Sequence, residues 1–201
     1  MSLTSPDTLA QRRTFETDDV FFSVTDPKGV ITHVNGTFLR LAHLTADDAI
    51  GSPHNIVRHP DMPGGIFRLV WDELEAGRPV CSYMANQARD GARYDVLATF
   101  TPIDGGFLSV RLRPGISELE LATFGVYDDA AEFESGLREA GVGRAAAAEP
   151  SAQHLLAKLG ELGFGSLAEL TRHVLPREID AVLLAAPPVG VGRAAAGPLG
   201  S

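Results

Sequence analysis

The first extended pattern of the chain lies at residues 20–34, where apolar and polar positions alternate. Residues 20–26 (VFFSVTD) are rich in β-branched and aromatic side chains, and the same character resumes at Val30. Pro27, Lys28 and Gly29 between them are typical of a tight turn. We therefore predict a β-hairpin.

The apolar spacing then lengthens to three or four residues, which is typical of helices. Asn35 is placed to cap a first short helix and Thr45 a second one, which ends at Gly51. A longer helix is predicted between Pro63 and Gly77. Its buried face is expected to contain Ile66, Phe67, Val70, Trp71 and Leu74.

Extended character returns in three segments, residues 80–87, 92–102 and 106–113, which are joined by Gly-containing turns. The order is two strands, short helices and three strands. This order predicts an α+β fold, a five-stranded antiparallel sheet with short helices on one face and a cleft between the two layers.

Beyond Pro114 the sequence is rich in Ala, Glu and Leu, which predicts a helical C-terminal extension. We expect a helix at residues 116–140, within a linker-helix segment 115–142, and a non-helical linker at 141–150. Residues 150–184 are expected to form a small helical subdomain, in which Pro176 begins a helix. Residues 1–19 would form an N-terminal cap and residues 185–201 a disordered tail.

Composition narrows the class of protein. The net charge of −9 argues against nucleic-acid binding, which needs clustered positive charge. The single cysteine, Cys81, excludes an internal disulfide and fits a reducing compartment. We find no signal peptide and no apolar stretch long enough to span a membrane, and therefore expect a cytoplasmic protein.

The segment HNIVRHPDMP, residues 54–63, contains two histidines, an arginine and an aspartate within ten residues. Arg58 can present a planar set of donors to phosphate or carbonyl groups, and His59 can donate or stack. Pro60 and Pro63 restrict the backbone beside them. Alternatively, Arg58 and Asp61 form an ion pair that holds a surface turn.

Four segments resemble the PAS domain of bacterial aerotaxis receptors, over residues 20–113. They are THVNGTF, PHNIVRHPDMP, DELEAGRP and RDGARYDVLATFTPI. The resemblance implies a PAS sensory domain at residues 20–114 that holds FAD non-covalently and relays the redox state of the flavin to a partner. It also implies that Asn35, Arg58, His59 and Asp61 contact the cofactor.

Two positions and one short run depart from the family pattern. Val80 and Asp95 stand where the family has tryptophans, and the run at residues 85–87 lacks the cationic Lys-Asn-Arg character of the family. These departures remove aromatic and charged contacts that would hold a flavin.

Three functions remain open. The first is a non-enzymatic redox or oxygen sensor that binds FAD and signals through its C-terminal helices. The second is a cofactor-free interaction module, and the third is a haem-based gas sensor with His54 or His59 as the iron ligand. No nucleophile motif or output domain occurs in the sequence. The signal of the sensor would therefore be passed to an unidentified signalling protein, or it would be transmitted through a homodimer formed by residues 116–140.

Overall fold

The computed structural model describes residues 2–5, 12–17, 19–115 and 117–185. The expected tail at residues 185–201 lies, except for Ala185, outside these ranges. The strands are β1 (Phe21–Thr25), β2 (Ile31–Val34), β3 (Val80–Gln87), β4 (Arg93–Ile103) and β5 (Gly106–Leu112). The helices are α1 (Gly36–Ala42), α2 (Ala46–Ala49), a 3-10 helix (His54–Val57), α3 (Gly64–Glu75), α4 (Ser117–Glu139), α5 (Arg144–Glu161) and α6 (Leu167–Ala185).

The strands form one antiparallel sheet in the order β2-β1-β5-β4-β3. The two halves of the chain join where β1 pairs with β5, with Ser23 opposite Ser109. Gly29 has a φ of +78° in the hairpin turn, a conformation that a residue without a Cβ adopts at low cost. The predicted α+β fold, a five-stranded antiparallel sheet followed by C-terminal helices, is confirmed.

The N-termini of the first two helices are capped as their sequences predict. The side chain of Asn35 accepts a hydrogen bond from Phe38 N–H at 3.1 Å. Thr45 and Asp48 form a reciprocal capping box at the start of α2. These caps fix the short helices that lead the chain from β2 to the 3-10 helix.

The C-terminal extension packs directly on the core of the sheet domain. Helix α5 lies so close to α3 that a Cβ built on Gly65 would stand 2.5 Å from the carbonyl carbon of Ser151. Glu134 of α4 accepts a hydrogen bond from Gly65 N–H at 3.0 Å, at the uncapped start of α3. The absence of a side chain at Gly65 therefore permits the close approach of α5.

Residues 141–150 differ from the expected linker because α5 begins at Arg144. Four consecutive alanines follow, and alanine has the highest helix propensity. Pro150 and Pro176 both lie inside helices, although Pro176 was expected to begin one. Tertiary packing of α5 and α6 outweighs the single backbone hydrogen bond that each proline removes.

Strand β3 forms one edge of the sheet, and the extension covers part of that edge. Thr171 of α6 accepts a hydrogen bond from Cys81 N–H at 3.0 Å through its hydroxyl oxygen, and the same hydroxyl lies 3.3 Å from Cys81 O, to which it donates. Further along the strand, His59 N–H donates to Ala85 O at 3.3 Å. Most backbone polar groups at an exposed edge would lack such partners.

Candidate functional site

A cavity of about 280 Å³ lies between the sheet and the helices that follow β2. We call it the cleft. The 3-10 helix and α3 form one wall, and side chains of β1, β3, β4 and β5 form the other. Its apolar lining includes Val57, Phe67, Val70, Trp71, Phe100 and Phe107.

The charged residues of the cleft are all basic. Lys28, Arg58 and Arg111 line it, and none of its lining residues in the described part of the chain is Asp or Glu. The whole chain has 26 acidic and 17 basic residues, so the charge of the cleft lining is opposite in sign to the net charge of the chain. The cleft is therefore locally electropositive inside an acidic protein.

Arg111 supplies a buried positive charge, with 2% of the residue exposed. Its Nη1 donates to Ser23 Oγ at 3.0 Å, and its Nη2 donates to His54 Nε2 at 2.6 Å. No carboxylate of the described residues lies within the 4.0 Å that defines an ion pair with it. Burial lowers the pKa of Arg111 to about 10, so the guanidinium stays protonated at neutral pH.

His54 is held neutral beside this arginine. Burial, followed by the positive charge of Arg111, lowers the pKa of His54 to about 3. Its Nε2 faces two donors, Arg111 Nη2 and the hydroxyl of Ser23 at 3.0 Å. Since Nε2 accepts, the ring proton resides on Nδ1.

Two buried polar atoms that belong to cleft-lining residues have no hydrogen-bond partner among the described residues. They are Asn86 Nδ2 on β3 and Ser109 Oγ on β5. The residues are only 7% and 6% exposed. Buried polar groups are normally paired, so these two atoms indicate where a bound molecule would supply partners.

Of the four residues expected at the cofactor, Arg58 lines the cleft. Its Nη2 donates to Met62 O at 2.6 Å, and its guanidinium lies 4.0 Å from the centre of the Phe67 ring. Desolvation lowers the pKa of Arg58. Arg58 also lines a second, larger cavity, described below.

The other three residues lie outside the cleft lining. Asn35 caps α1, and its amide nitrogen donates to Val20 O at 3.1 Å. His59 is buried, and its Nδ1 accepts from Asp61 N–H at 3.3 Å. Asp61 lines the second cavity. The four residues therefore do not converge on one ligand position, and Arg58 alone faces the cleft.

Asn86, Ser109 and Arg111 are cleft residues that no sequence motif indicated, and His54 was expected there only as a haem ligand. A signal for two of them exists in β5, where Phe107, Ser109 and Arg111 share one face of the strand. A serine and an arginine on the inward face of a strand are uncommon in a core.

The second cavity, of about 670 Å³, lies between residues 58–63 and helix α4. Three arginines line it, Arg58, Arg138 and Arg144, together with five acids. The acids are Asp61, Asp128, Asp129, Glu132 and Glu134. It therefore differs in charge from the cleft, although the two cavities share Arg58.

A group of four charged residues ties the N-terminal segment to β4 and α4. We call Arg12, Arg93, Asp95 and Glu120 the ionic cluster. Arg12 Nη1 lies 2.7 Å from Asp95 and 2.9 Å from Glu120, and Arg93 Nε lies 2.7 Å from Asp95. Burial raises the pKa of Glu120 to about 7, although the charge of Arg12 opposes the shift. Asp95 on β4 is thus joined to Glu120 on α4 through Arg12.

These features define an α+β domain that encloses a cleft between its sheet and its helices. A family model described as the PAS fold matches residues 11–113. The chain therefore belongs to the PAS family, and the resemblance noted in its sequence is confirmed.

Among known proteins, the chain is similar to the aerotaxis receptor of Escherichia coli (strain K12). The two are 36% identical over 107 residues, which cover 51% of this chain and 21% of the receptor. The chain therefore matches only about a fifth of the length of that relative.

Two solved structures are similar in fold. A PAS domain from Colwellia psychrerythraea is 22% identical, with a TM-score of 0.44. The match covers 49% of this chain and 89% of the Colwellia chain. A light-oxygen-voltage domain studied with a flavin analogue is 18% identical, with a TM-score of 0.46. The match covers 51% of this chain and 82% of that domain.

In the described part of this chain, no helix combines the length and apolarity needed to cross a bilayer.

Proposed function

We propose that this chain is a cytoplasmic, non-enzymatic sensor whose cleft binds FAD and whose C-terminal helices relay the state of the flavin. The observation that carries the proposal is the pair of unpartnered buried atoms in the cleft, Asn86 Nδ2 and Ser109 Oγ. Similarity to an aerotaxis receptor supports a redox or oxygen-related signal.

The residues of the cleft fit a flavin ring. Aromatic and aliphatic side chains line its walls, and Asn86, Ser109 and Arg58 offer hydrogen bonds at its polar points. A volume of about 280 Å³ suits the ring system better than the whole dinucleotide. When bound, FAD would supply one- and two-electron chemistry, while the chain would bind and orient the ring and keep water from it.

Arg58 could couple the cleft electrostatically to the C-terminal extension, because it lines both cavities. Its pKa responds first to burial and then to the charges of Glu134 on α4 and Arg144 on α5. A change of charge in the cleft would act on the same guanidinium. We propose that this coupling alters the attachment of α4 and α5, and that a homodimer or a downstream signalling protein responds to it.

The exposed apolar residues of the extension support such an association. Leu121 and Phe133 on α4 are 38% and 37% exposed, and Leu162 after α5 is 55% exposed. Exposed apolar side chains on neighbouring helices are typical of interaction surfaces.

A cofactor-free interaction module is the second candidate. The ionic cluster favours it, because Asp95 is held by two arginines and offers no aromatic surface to a flavin. A haem sensor has less support, since His54 Nε2 already accepts from two donors and His59 lies outside the cleft lining.

The absorbance spectrum of the purified full chain separates these functions. We expect flavin bands that weaken in Arg58→Ala and Asn86→Ala and persist in Arg68→Ala. Arg68 is the matched control because it lies half-exposed on α3 and pairs with Asp72. A single intense haem band would favour the gas sensor. No band after incubation with FAD would leave the interaction module as the function.

A further inference from the structure

The guanidinium of Arg111 is charged, almost fully buried and without a carboxylate among the described residues. Burying an unpaired charge is costly, and proteins normally place a counter-ion beside it. Ser23 and His54 satisfy hydrogen bonds, and the rings of Phe21 and Phe38 lie 5.8 and 5.5 Å from the guanidinium carbon, but none of these groups carries a negative charge. Replacing a buried charged group by an apolar side chain is often neutral or stabilising in a ligand-free core.

The surroundings of Arg111 indicate what neutralises it. Ser109 lies two residues before Arg111 on β5, lines the same cleft and has an unpartnered hydroxyl oxygen. Lys28 and Arg58 add positive charge, and no described acid of the lining competes for them. The remaining walls are apolar and aromatic.

We propose that the cleft is an anion site, in which Arg111 and Ser109 receive the carboxylate of a small aromatic ligand. The proposal rests on the function proposed above only in that the cleft binds a ligand. It assigns to the cleft an anionic ligand, which would occupy it in place of FAD. An aromatic carboxylate combines a flat apolar body for the walls with two oxygens that a guanidinium binds in its own plane.

The binding test uses a matched pair of probes, 2-naphthoate and 2-naphthamide, which differ in charge but hardly in shape. Calorimetric titration of the full chain should give at least about tenfold tighter binding of the carboxylate, since hydrogen bonds to charged groups are stronger than neutral ones. Arg111→Met should abolish this preference. Arg113→Met, on an exposed arginine just beyond β5, should retain it.

Thermal melting without ligand shows whether the Arg111→Met variant folds as stably as the parent protein. Arg111→Met should melt no lower than the parent protein, because the Ser23 hydroxyl still donates to His54 Nε2. Should this variant fail to fold, Arg111→Lys keeps the charge without the planar set of donors. It should then retain a preference for the carboxylate, but a smaller one.

The outcomes separate this inference from the assignment of FAD. Equal binding of both probes, binding of neither, or a preference that persists in Arg111→Met overturns the anion site, even if flavin bands are present. A carboxylate preference that depends on Arg111, in a chain that takes up no flavin, supports the anion site and contradicts FAD as the cofactor.

Discussion

The cleft and the interface of the C-terminal extension both bury polar groups against the same core, but they match charge differently. In the interface, acids meet donors from other elements. Glu134 accepts from Gly65 N–H, Glu178 accepts from the Tyr83 hydroxyl at 2.5 Å, and Glu120 pairs with Arg12. In the cleft, the buried charge of Arg111 meets no described acid.

This difference distinguishes contacts that are complete within the chain from contacts that a ligand would have to complete. Groups that are paired within the chain stabilise the attachment of the extension whether or not a ligand is present. Unmatched groups reduce the stability of the ligand-free protein and are matched when a ligand enters. The comparison therefore predicts that interface substitutions destabilise the fold, whereas cleft substitutions weaken ligand binding.

The largest effect is expected from Gly65→Ala, which would break the interface. The added Cβ would stand 2.5 Å from Ser151 and 2.6 Å from the backbone nitrogen of Ala152, so α5 must move away from α3. We expect a loss of about 3 kcal/mol in the free energy of unfolding, measured in urea. Proteolysis near residues 140–144 should also become faster.

Gly36→Ala is the matched control, because a Cβ added there would meet no other atom within 4 Å. Since Gly36 begins α1, alanine there should be neutral or stabilise by up to about 1 kcal/mol. Equal losses in both variants would mean that the close approach of α5 at Gly65 contributes little to stability.

A smaller effect is expected from the ionic cluster as pH changes. The folded-state pKa of Glu120 is raised from 4.5 to about 7, so the folded protein binds the extra proton between these values. Stability is therefore lost as pH rises through this window. Glu120→Gln should flatten the dependence and match the parent protein at pH values near 5.

The control for this titration is Glu118→Gln, which changes an exposed glutamate on the same helix. Its pH dependence of unfolding should follow that of the parent protein. A parent protein whose stability does not fall between mildly acidic and neutral pH would contradict the assignment to Glu120.

The smallest change in stability is expected in the cleft, from Asn86→Leu. Removing a buried donor that has no partner costs no hydrogen bond, so ligand-free melting should stay within about 1 kcal/mol of the parent protein. Asn35→Leu sharpens the contrast, because that amide caps α1 and its loss should cost about 1 kcal/mol or more. A strongly destabilised Asn86→Leu would make Asn86 a structural residue.

The sequence predicted the sheet domain well because its signals are local. Alternation, caps and Gly-containing turns each act within a few residues, and they located all five strands to within about two residues. The extension was predicted less accurately at residues 141–150. There a non-helical linker was expected, but α5 begins at Arg144 and packs closely on α3.

The candidate site was harder to predict, because it depends on which side chains of distant strands share a cavity. The cluster at residues 54–63 was visible in sequence, but its residues diverge into the cleft, the core and the second cavity. Arg111 lies 57 positions beyond His54, and the absence of a described carboxylate beside it is a property of the folded chain alone.

The hydroxyl of Thr171 limits the addition of a further strand at the edge of the sheet. It satisfies both Cys81 backbone groups on the edge of β3, where another polypeptide could otherwise add a strand. A chain that ended at Pro114 would lose α6 and expose these groups beside a strand of mostly apolar residues. Such a fragment would tend to aggregate through strand addition, so helix α6 protects the solubility of the domain as well as its stability.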